Sequence, residues 1–378
     1  MTLKKIIFWL HLGAGVSAGV VIFIMSVTGA LLAFERQITN WADGCHVTPP
    51  SAGASPLPVE TLLLKVQSAR PQSVPSAFVL QSDPNLPAAF SYGRDVNVFI
   101  NPYTGEILGE GSKAWRHFFD EVTALHRWLG AGDAHRSLGK GITGACNLAF
   151  VFLVVSGFYL WWPRRWNWRV LRPSVWFAGK SRGRERDLNW HKTVGFWCVP
   201  VLFLVTSTGV IMSYSWANNL LFKLTRSQAP KQEGRGNFSA GGPAEIQADG
   251  LNDFFALAEK KVSGWKSITL RFPRQPGGPL TFSIDQGDGS RPDLRATLVL
   301  DADTGDELRW QPFAQQSAGQ KARSWVRFIH TGEAGGWLGQ AAALIACLGG
   351  AMLVLTGLTL TIRRFFFRKK SFESAGRG

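Results

Sequence analysis

Acidic residues are missing from four long apolar stretches of this 378-residue sequence, which cover 1–34, 142–162, 190–216 and 337–362. Each stretch is long enough for a helix that crosses a hydrocarbon core of about 30 Å, which takes about 20 apolar residues. An ion or proton pathway usually keeps a carboxylate at mid-membrane, so its absence argues against a transporter. The sequence predicts an α-helical membrane protein with four spans that form a four-helix bundle.

Cysteine is scarce as well. The chain has four cysteines, and only Cys45 lies outside the predicted spans, so no disulfide can join two loop cysteines. No CxxC, HxxxH or HExxH motif is present, which argues against a zinc site. The sequence lacks a P-loop motif, and its one GxGxxG match, 139–144, runs into a predicted membrane span instead of linking a strand to a soluble helix. We therefore expect no nicotinamide, flavin or nucleotide domain.

Positive charge is plentiful, with a net charge of +15, and most of it lies in the loop 163–189, the tail 363–378 and the residues before the first span. Lysine and arginine collect on the cytoplasmic side of membrane proteins, so topology explains the excess and we expect no nucleic-acid partner. Both termini and the loop 163–189 are predicted to be cytoplasmic. The two large loops, 35–141 and 217–336, are predicted to be exported.

The sequence contains an internal repeat. A shift of 180 residues places His11 on His191, and a shift of 200 residues places 101–106 on 301–306. Each half therefore reads as a helix, a loop module and a second helix, which indicates a duplication. Within each loop a helical pattern precedes alternating apolar runs, and this predicts two small α+β modules. Parallel repeats place equivalent residues at equal depth on opposite helices.

His11 and His191 occupy equivalent repeat positions near the cytoplasmic ends of their spans. The first apolar run is too long for a cleaved signal peptide, so we expect an uncleaved anchor that retains His11. Each histidine is followed four residues later by a glycine, Gly15 or Gly195, on the same helix face. A bare face lets a porphyrin approach the backbone, and two imidazoles from opposite helices can ligate its iron. Close helix packing is the alternative use of these glycines.

Histidines near the other side of the membrane form a second candidate group, His126, His135 and His330. Under the 200-residue shift His126 is displaced from the repeat position of His330 by four residues, which is one helical turn and keeps the same face. His135 is displaced by five residues. A glycine follows both His126 and His135 at the fourth position, so that feature does not decide between them. We predict the pair His126 and His330, with His135 and His330 as the alternative.

Several segments together resemble a known family, the PepSY-associated transmembrane-helix proteins, and most closely its branch of ferric-siderophore reductases from bacterial inner membranes. The resemblance covers nearly the whole chain. The segments that carry it are Leu10-His11-Leu12, Leu125-His126-Arg127-Trp128-Leu129, Ser156-Gly157-Phe158-Tyr159-Leu160-Trp161-Trp162-Pro163-Arg164, Trp190-His191-Lys192 with Gly195, and Ile329-His330-Thr331-Gly332.

The resemblance implies an oxidoreductase of the inner membrane with two periplasmic PepSY-like modules and two b-type haems. The family's ligand histidines map onto His11, His191, His126 and His330, which would hold the haem irons. The expected activity is electron transfer across the membrane to ferric siderophore in the periplasm, with release of Fe(II) and no catalytic acid or base. The electron donor would be a quinol or a cytoplasmic reductase. The arginine-rich loop 163–189 could dock an acidic donor or anionic lipid, although topology alone accounts for its charge.

Two other functions remain open from the sequence. The first is a haem-free regulatory or scaffold protein whose PepSY-like modules act on a periplasmic peptidase. The second is a permease for the intact siderophore, which four spans without polar mid-membrane residues disfavour. The presence of haem in the purified protein discriminates between the reductase and both alternatives.

Overall fold

The computed structural model describes residues 1–51, 53–93, 96–163, 166–179, 181–229, 250–273, 275 and 277–366. Arg164, Lys180 and the part of the predicted basic tail from residue 367 lie outside the described residues. The chain forms two compact units. A helical unit contains Met1–Glu35, Phe119–Leu221 and the chain from Val326, and a sheet unit contains Arg36–Phe118 and Phe222–Trp325.

The helical unit is built around four long apolar helices, each long enough to cross a membrane. They are α1 (Leu3–Leu32), α5 (Arg136–Trp161), α7 (Gly183–Ser213) and α11 (Gly336–Phe366). Helix α1 packs against α5 and α11, and α7 packs against the same two helices, so α1 and α7 lie diagonally across a four-helix bundle. The prediction of four helices that are long and apolar enough to cross a membrane, packed as a bundle, is confirmed.

Two of these helices begin before the apolar stretches that predict them. Helix α5 begins at Arg136 rather than at 142, and α7 begins at Gly183, within the predicted loop 163–189. That loop also contains α6 (Trp168–Val175), in which the side chain of Val170 is not described. Hydropathy marks the part of a helix that suits hydrocarbon, whereas backbone hydrogen bonding continues into the polar residues beyond it.

Small residues let the helices of the bundle approach one another. A methyl group added at Gly349 of α11 would lie within 2.4 Å of the Cys198 sulfur on α7, which is closer than real contacts allow. Close backbone approach of this kind is a main source of helix association in a membrane, where the hydrophobic effect contributes little. The buried residues around this contact are Val154, Val194, Cys198, Leu202 and Ala346.

The sheet unit contains one antiparallel sheet of eight strands in the order β4-β3-β2-β1-β5-β6-β7-β8. The first loop supplies β1 (Ala77–Gln81), β2 (Ala88–Tyr92), β3 (Val96–Ile100) and β4 (Ile107–Gly109). The second loop supplies β5 (Ser267–Arg271), β6 (Leu280–Asp285), β7 (Arg295–Leu300) and β8 (Glu307–Pro312).

The two predicted α+β modules therefore share a single sheet. Strands β1 and β5 pair along their whole length, with Val79 opposite Thr269 at the centre. Each half also contributes one amphipathic helix to the core, α3 (Val59–Ala69) and α9 (Leu251–Lys261). Pairing β1 with β5 satisfies backbone groups that would be exposed as an edge in either module alone.

The halves follow the same order of elements, and their repeated turns have the same geometry. Asn101 and Asp301 each accept backbone N–H groups two and three residues later through a side-chain oxygen. Gly105 and Gly305 have φ values of +71° and +76°, which suit glycine at the end of such a turn. Common ancestry of the halves remains a prediction from the sequence.

Shorter helices complete the described structure. They are α2 (Glu35–Asp43), α4 (Lys113–Trp128), α8 (Ser215–Leu224) and α10 (Ala318–His330). Helix α4 carries His126 in its last turn, and α10 ends at His330.

Candidate functional site

His11 on α1 and His191 on α7 face one cavity from diagonal helices, and we refer to them as the first histidine pair. The cavity has a volume of about 640 Å³ and lies entirely within the helical unit. Gly15 and Gly195, the glycines one turn after each histidine, line it as well. A volume in this range suits a cofactor or small-molecule ligand, which typically occupies about 300–1,000 Å³.

His126 and His330, the second histidine pair, lie in direct apposition. Their ring centroids are 6.4 Å apart, and the ring planes form an angle of 61°. Two metal–nitrogen bonds of about 2 Å, one to each ring, place the centroids of opposed imidazoles roughly 6 Å apart. The spacing therefore suits a metal ion bound between the two rings.

His135 lies elsewhere, in an exposed position at the end of a short 3-10 turn. The reason is that α4 ends at Trp128, two residues after His126, and Leu129 and Gly130 then adopt φ values of +58° and +69°. Gly130, the glycine four residues after His126, therefore lies beyond the end of the helix. It does not provide a bare helix face next to the histidine. Gly139 serves packing, because a methyl group there would lie 2.2 Å from the Trp128 carbonyl oxygen.

Each of the four histidines contacts a Ser-Gly or Thr-Gly dipeptide on a membrane helix. Nδ1 of His11 lies 2.8 Å from the Ser156 hydroxyl, and Nδ1 of His191 lies 2.8 Å from the Thr356 hydroxyl. In the second pair the distances are 2.9 Å from His126 to Thr28 and 3.2 Å from His330 to Thr208.

The glycine of each dipeptide makes room for the imidazole. A methyl group would lie 3.2 or 3.3 Å from Cε1 of the histidine at Gly157 and Gly209, which is tight, and 3.4 or 3.5 Å at Gly29 and Gly357, which is ordinary van der Waals contact. The hydroxyl and the glycine thus fix one edge of the ring together. The four glycines are Gly157, Gly357, Gly29 and Gly209, for His11, His191, His126 and His330 respectively.

The direction of these hydrogen bonds follows from the hydroxyls. Each hydroxyl donates its only hydrogen to the carbonyl four residues earlier in its own helix, at oxygen–oxygen distances of 2.6 to 2.8 Å. It therefore accepts from the histidine, and we assign the hydrogen of each ring to Nδ1. A second contact supports this assignment for His330. Its Nδ1 also lies 2.8 Å from the Val205 carbonyl oxygen, which can only accept, so the hydrogen must be on Nδ1.

All four rings consequently leave the Nε2 lone pair free. A neutral imidazole whose Nδ1–H is bound to an acceptor is the state in which histidine ligates a metal through Nε2. Across the described ranges no cluster of three or more His, Cys, Asp or Glu residues is found. The donor set is two pairs of imidazoles, which matches axial ligation of two haems better than a tetrahedral metal site.

The hydroxyl partners were not predicted as part of the site. In the sequence, Thr28-Gly29 recurs at Thr208-Gly209 and Ser156-Gly157 at Thr356-Gly357, which is evidence for the repeat, and Ser156-Gly157 also begins a segment of the family resemblance. A further signal is the constant interval of 17 residues from His11 to Thr28 and from His191 to Thr208. Along a helix this interval spans about 25 Å, so each of these helices supplies a histidine at one level and a hydroxyl at another.

The sheet unit has a smaller, polar depression on the face opposite α3 and α9. Its volume is about 250 Å³, and its lining combines hydroxyl groups with charged side chains. Asp285 binds Arg295 at 2.6 Å, whereas Lys266 and Arg271 have no acidic partner in the described part of the chain. The hydroxyl groups belong to Ser267, Thr269 and Ser283.

Comparison with known proteins identifies the family of this chain. A search of curated proteins found no match. The family described as the PepSY-associated TM region matches residues 8–364, a segment that contains both histidine pairs and all four Ser-Gly and Thr-Gly dipeptides. Since this match covers nearly all of the 378 residues, the chain belongs to the PepSY-associated TM region family.

Proposed function

We propose that this protein is a haem-dependent reductase of the bacterial inner membrane that delivers electrons to ferric siderophore in the periplasm. The observation that carries the proposal is that four histidines from two halves of one bundle each bind a hydroxyl through Nδ1 and keep Nε2 free. Four ligands in two facing pairs fit two b-type haems, each held by two histidines.

The residues of the first pair fit such a group well. His11 and His191 would ligate the iron from diagonal helices, and the cavity between them is lined by glycine and apolar side chains that suit a porphyrin. His126 and His330 would ligate the second iron. When bound, a b-type haem supplies a one-electron redox couple whose potential depends on axial ligands, hydrogen bonding and burial.

Reduction is a plausible chemistry for iron release because siderophores hold Fe(III) through hard oxygen donors. The lower charge of Fe(II) weakens such a complex, so a single electron releases the metal. The chain's own contribution is to bind, orient and shield the redox groups. The polar depression on the sheet supports docking of an oxygen-rich ligand, since Lys266, Arg271 and several hydroxyls meet there.

The positions of positive charge support the orientation of the protein in the membrane. Basic residues at both chain ends and in 163–189 favour a cytoplasmic location for these segments, which supports a periplasmic location for the sheet unit. An electron donor would act on the cytoplasmic side, as a quinol or a cytoplasmic reductase.

The first experiment tests for haem and for its ligands. Full-length protein purified from haem-replete cells should show a Soret band, and dithionite should sharpen its α band. His126→Ala and His330→Ala should each lose about half of the haem, whereas His135→Ala, the matched control, should retain all of it. A colourless preparation would contradict the reductase and favour a haem-free regulatory protein.

The second experiment tests for reduction of the substrate. Protein reduced with dithionite and freed of excess reagent is mixed with ferric siderophore and an Fe(II)-selective chelator in a stopped-flow instrument. We expect the α band to decay while the Fe(II) complex appears. The same siderophore loaded with redox-inert Ga(III) is the control and should leave the α band unchanged. Haem that stays reduced in the presence of the ferric complex would contradict siderophore reduction.

A further inference from the structure

The cavity of the first histidine pair is strongly asymmetric in charge. Its deep end is formed by apolar residues such as Ile22, Phe150 and Leu202. The other end is cationic, and among the residues that the structure describes no aspartate or glutamate lines the cavity. The cationic residues are Lys4, Lys5, Arg184, Lys192 and Arg364.

Two of these cations occupy equivalent positions in the repeat. Lys4 precedes His11 by seven residues on α1, and Arg184 precedes His191 by seven residues on α7. Seven residues are two helical turns, so each cation lies on the same face as its histidine and about 10 Å further along the axis. The two diagonal helices therefore present one histidine and one cation each to the same cavity.

Nearby cations outside the cavity are already paired. Arg186 and Arg363 lie 3.0 and 3.3 Å from the buried carboxylate of Asp187. Lys4 and Arg184 have no acidic partner among the residues that the structure describes. Arg184 is exposed and Lys4 is half-buried, so both side chains are open to a ligand at this end of the cavity, and no described carboxylate neutralises them. The cavity thus lacks negative charge at one end.

We infer that Lys4 and Arg184 bind the two carboxylates of the haem held by His11 and His191. The inference rests on the proposed function and extends it, since it assigns the edge of the porphyrin that points to the cationic end. Membrane topology also favours positive charge at this boundary, but it does not require one cation two turns from each histidine on the cavity face. Two carboxylates on one edge of the ligand match two repeat-equivalent cations.

The experiment compares haem with its dimethyl ester, in which both carboxylates are neutralised while the iron and the ring are unchanged. Full-length apoprotein is titrated with each porphyrin, and absorbance reports binding at both sites. In the wild-type protein one of the two sites should prefer haem by roughly 10- to 100-fold, the range expected for loss of charge-assisted hydrogen bonds. The double variant Lys4→Gln/Arg184→Gln should lose this preference.

Two further variants keep the test decisive. Lys4→Arg/Arg184→Lys retains both charges and should retain the preference, which separates loss of charge from loss of folding. Arg186→Gln removes a neighbouring exposed arginine that does not line the cavity, and it should behave like the wild type. Equal affinity for haem and ester at both sites of the wild type, or an unchanged preference in the double glutamine variant, would overturn the inference alone. Failure to bind either porphyrin would overturn the proposed function as well.

Discussion

At the scale of single residues, the hydrogen bond between a histidine and a helix hydroxyl determines what the site can bind. Thr356 accepts from Nδ1 of His191 because its own hydrogen is donated to the Met352 carbonyl oxygen at 2.8 Å. The acceptor fixes both the tautomer and the orientation of the ring. A partner of this kind typically changes metal affinity by about 10- to 100-fold when it is removed.

Thr356→Val should therefore weaken haem binding at the first histidine pair by about 10- to 100-fold with little change in side-chain volume. Its physical cause is a buried N–H group without a partner, which costs about 1–3 kcal/mol. Titration of the apoprotein with haem measures the effect. Thr206→Val is the matched control, because the buried Thr206 hydroxyl binds the Leu202 carbonyl of its own helix and Thr206 does not line the cavity. Equal affinities for the two variants would contradict the role assigned to Thr356.

At the scale of secondary-structure elements, the packing of α7 against α11 depends on a glycine. Gly349 faces the Cys198 sulfur so closely that even a methyl group would lie 2.4 Å from it. Such contacts hold two helices at a short distance, and the protein interior has little room for adjustment.

Gly349→Ala should destabilise the helical unit by about 1–3 kcal/mol, the usual cost of overpacking. Cys198→Ala in the same chain should recover part of the loss, because it removes the atom that the new methyl group meets. Unfolding in mixed detergent micelles and a double-mutant cycle measure the coupling. Gly141→Ala is the control, since no atom lies within 4 Å of its added methyl group. If the changes in stability caused by Gly349→Ala and Cys198→Ala were strictly additive, the new methyl group would not meet the sulfur, and the two helices would have moved apart.

The connection between β6 and β7 contains carboxylates that prefer the charged form in the folded state. A hydrogen bond from the Ser290 hydroxyl lowers the pKa of Asp288, and a hydrogen bond from Arg291 lowers the pKa of Asp293. A lowered pKa contributes stability above the unfolded-state pKa, about 3.9 for aspartate, and this stability is lost as the pH falls through the folded-state pKa.

The sheet unit should therefore lose stability as the pH falls from 5 to 3. Asp288→Asn/Asp293→Asn should be less stable than the wild type at pH 5 and should show a shallower dependence on pH. Ser290→Ala should also flatten the profile, because it removes the first cause of the shift at Asp288. Hydrogen exchange of the β6 and β7 amides against pH provides the measurement. Identical slopes in all three proteins would exclude this origin of acid sensitivity.

At the scale of the whole molecule, one sheet joins the two large loops. Phe78 on β1 is fully buried and contacts Phe90 of its own half and Phe255 of the other half. A core that spans both halves should unfold as one cooperative unit, because neither half buries its helix and strands without the other.

Phe78→Ala should destabilise the sheet unit by about 3–5 kcal/mol, the cost of a large cavity. We expect faster hydrogen exchange in β2 and β3 and, to the same extent, in β6 and β7. Leu308→Ala is the control, since this side chain on β8 is 57% exposed. Faster exchange confined to β2 and β3 would indicate two separate modules instead of one sheet.

Local patterns in the sequence are sufficient to predict several parts of this protein. Apolar length predicts the four membrane helices, because crossing hydrocarbon requires about 20 apolar residues in a row. Turn chemistry predicts the repeated turns at Asn101 and Asp301, since their side chains bind backbone groups within three residues. The repeat also predicts that His11 and His191 lie at equal depth, and in the structure both line one cavity.

Only the tertiary structure decided features that depend on contacts between distant residues. Pairing of β1 with β5 joins segments about 190 residues apart. The sequence of either strand does not show whether its edge pairs with the other strand or remains exposed to solvent. Termination of α4 at Leu129 and Gly130 brings His126 to His330 and leaves His135 exposed. The contacts between hydroxyls and histidines also depend on tertiary structure. Ser156 is 145 residues from His11 and contacts it only when their two helices pack together.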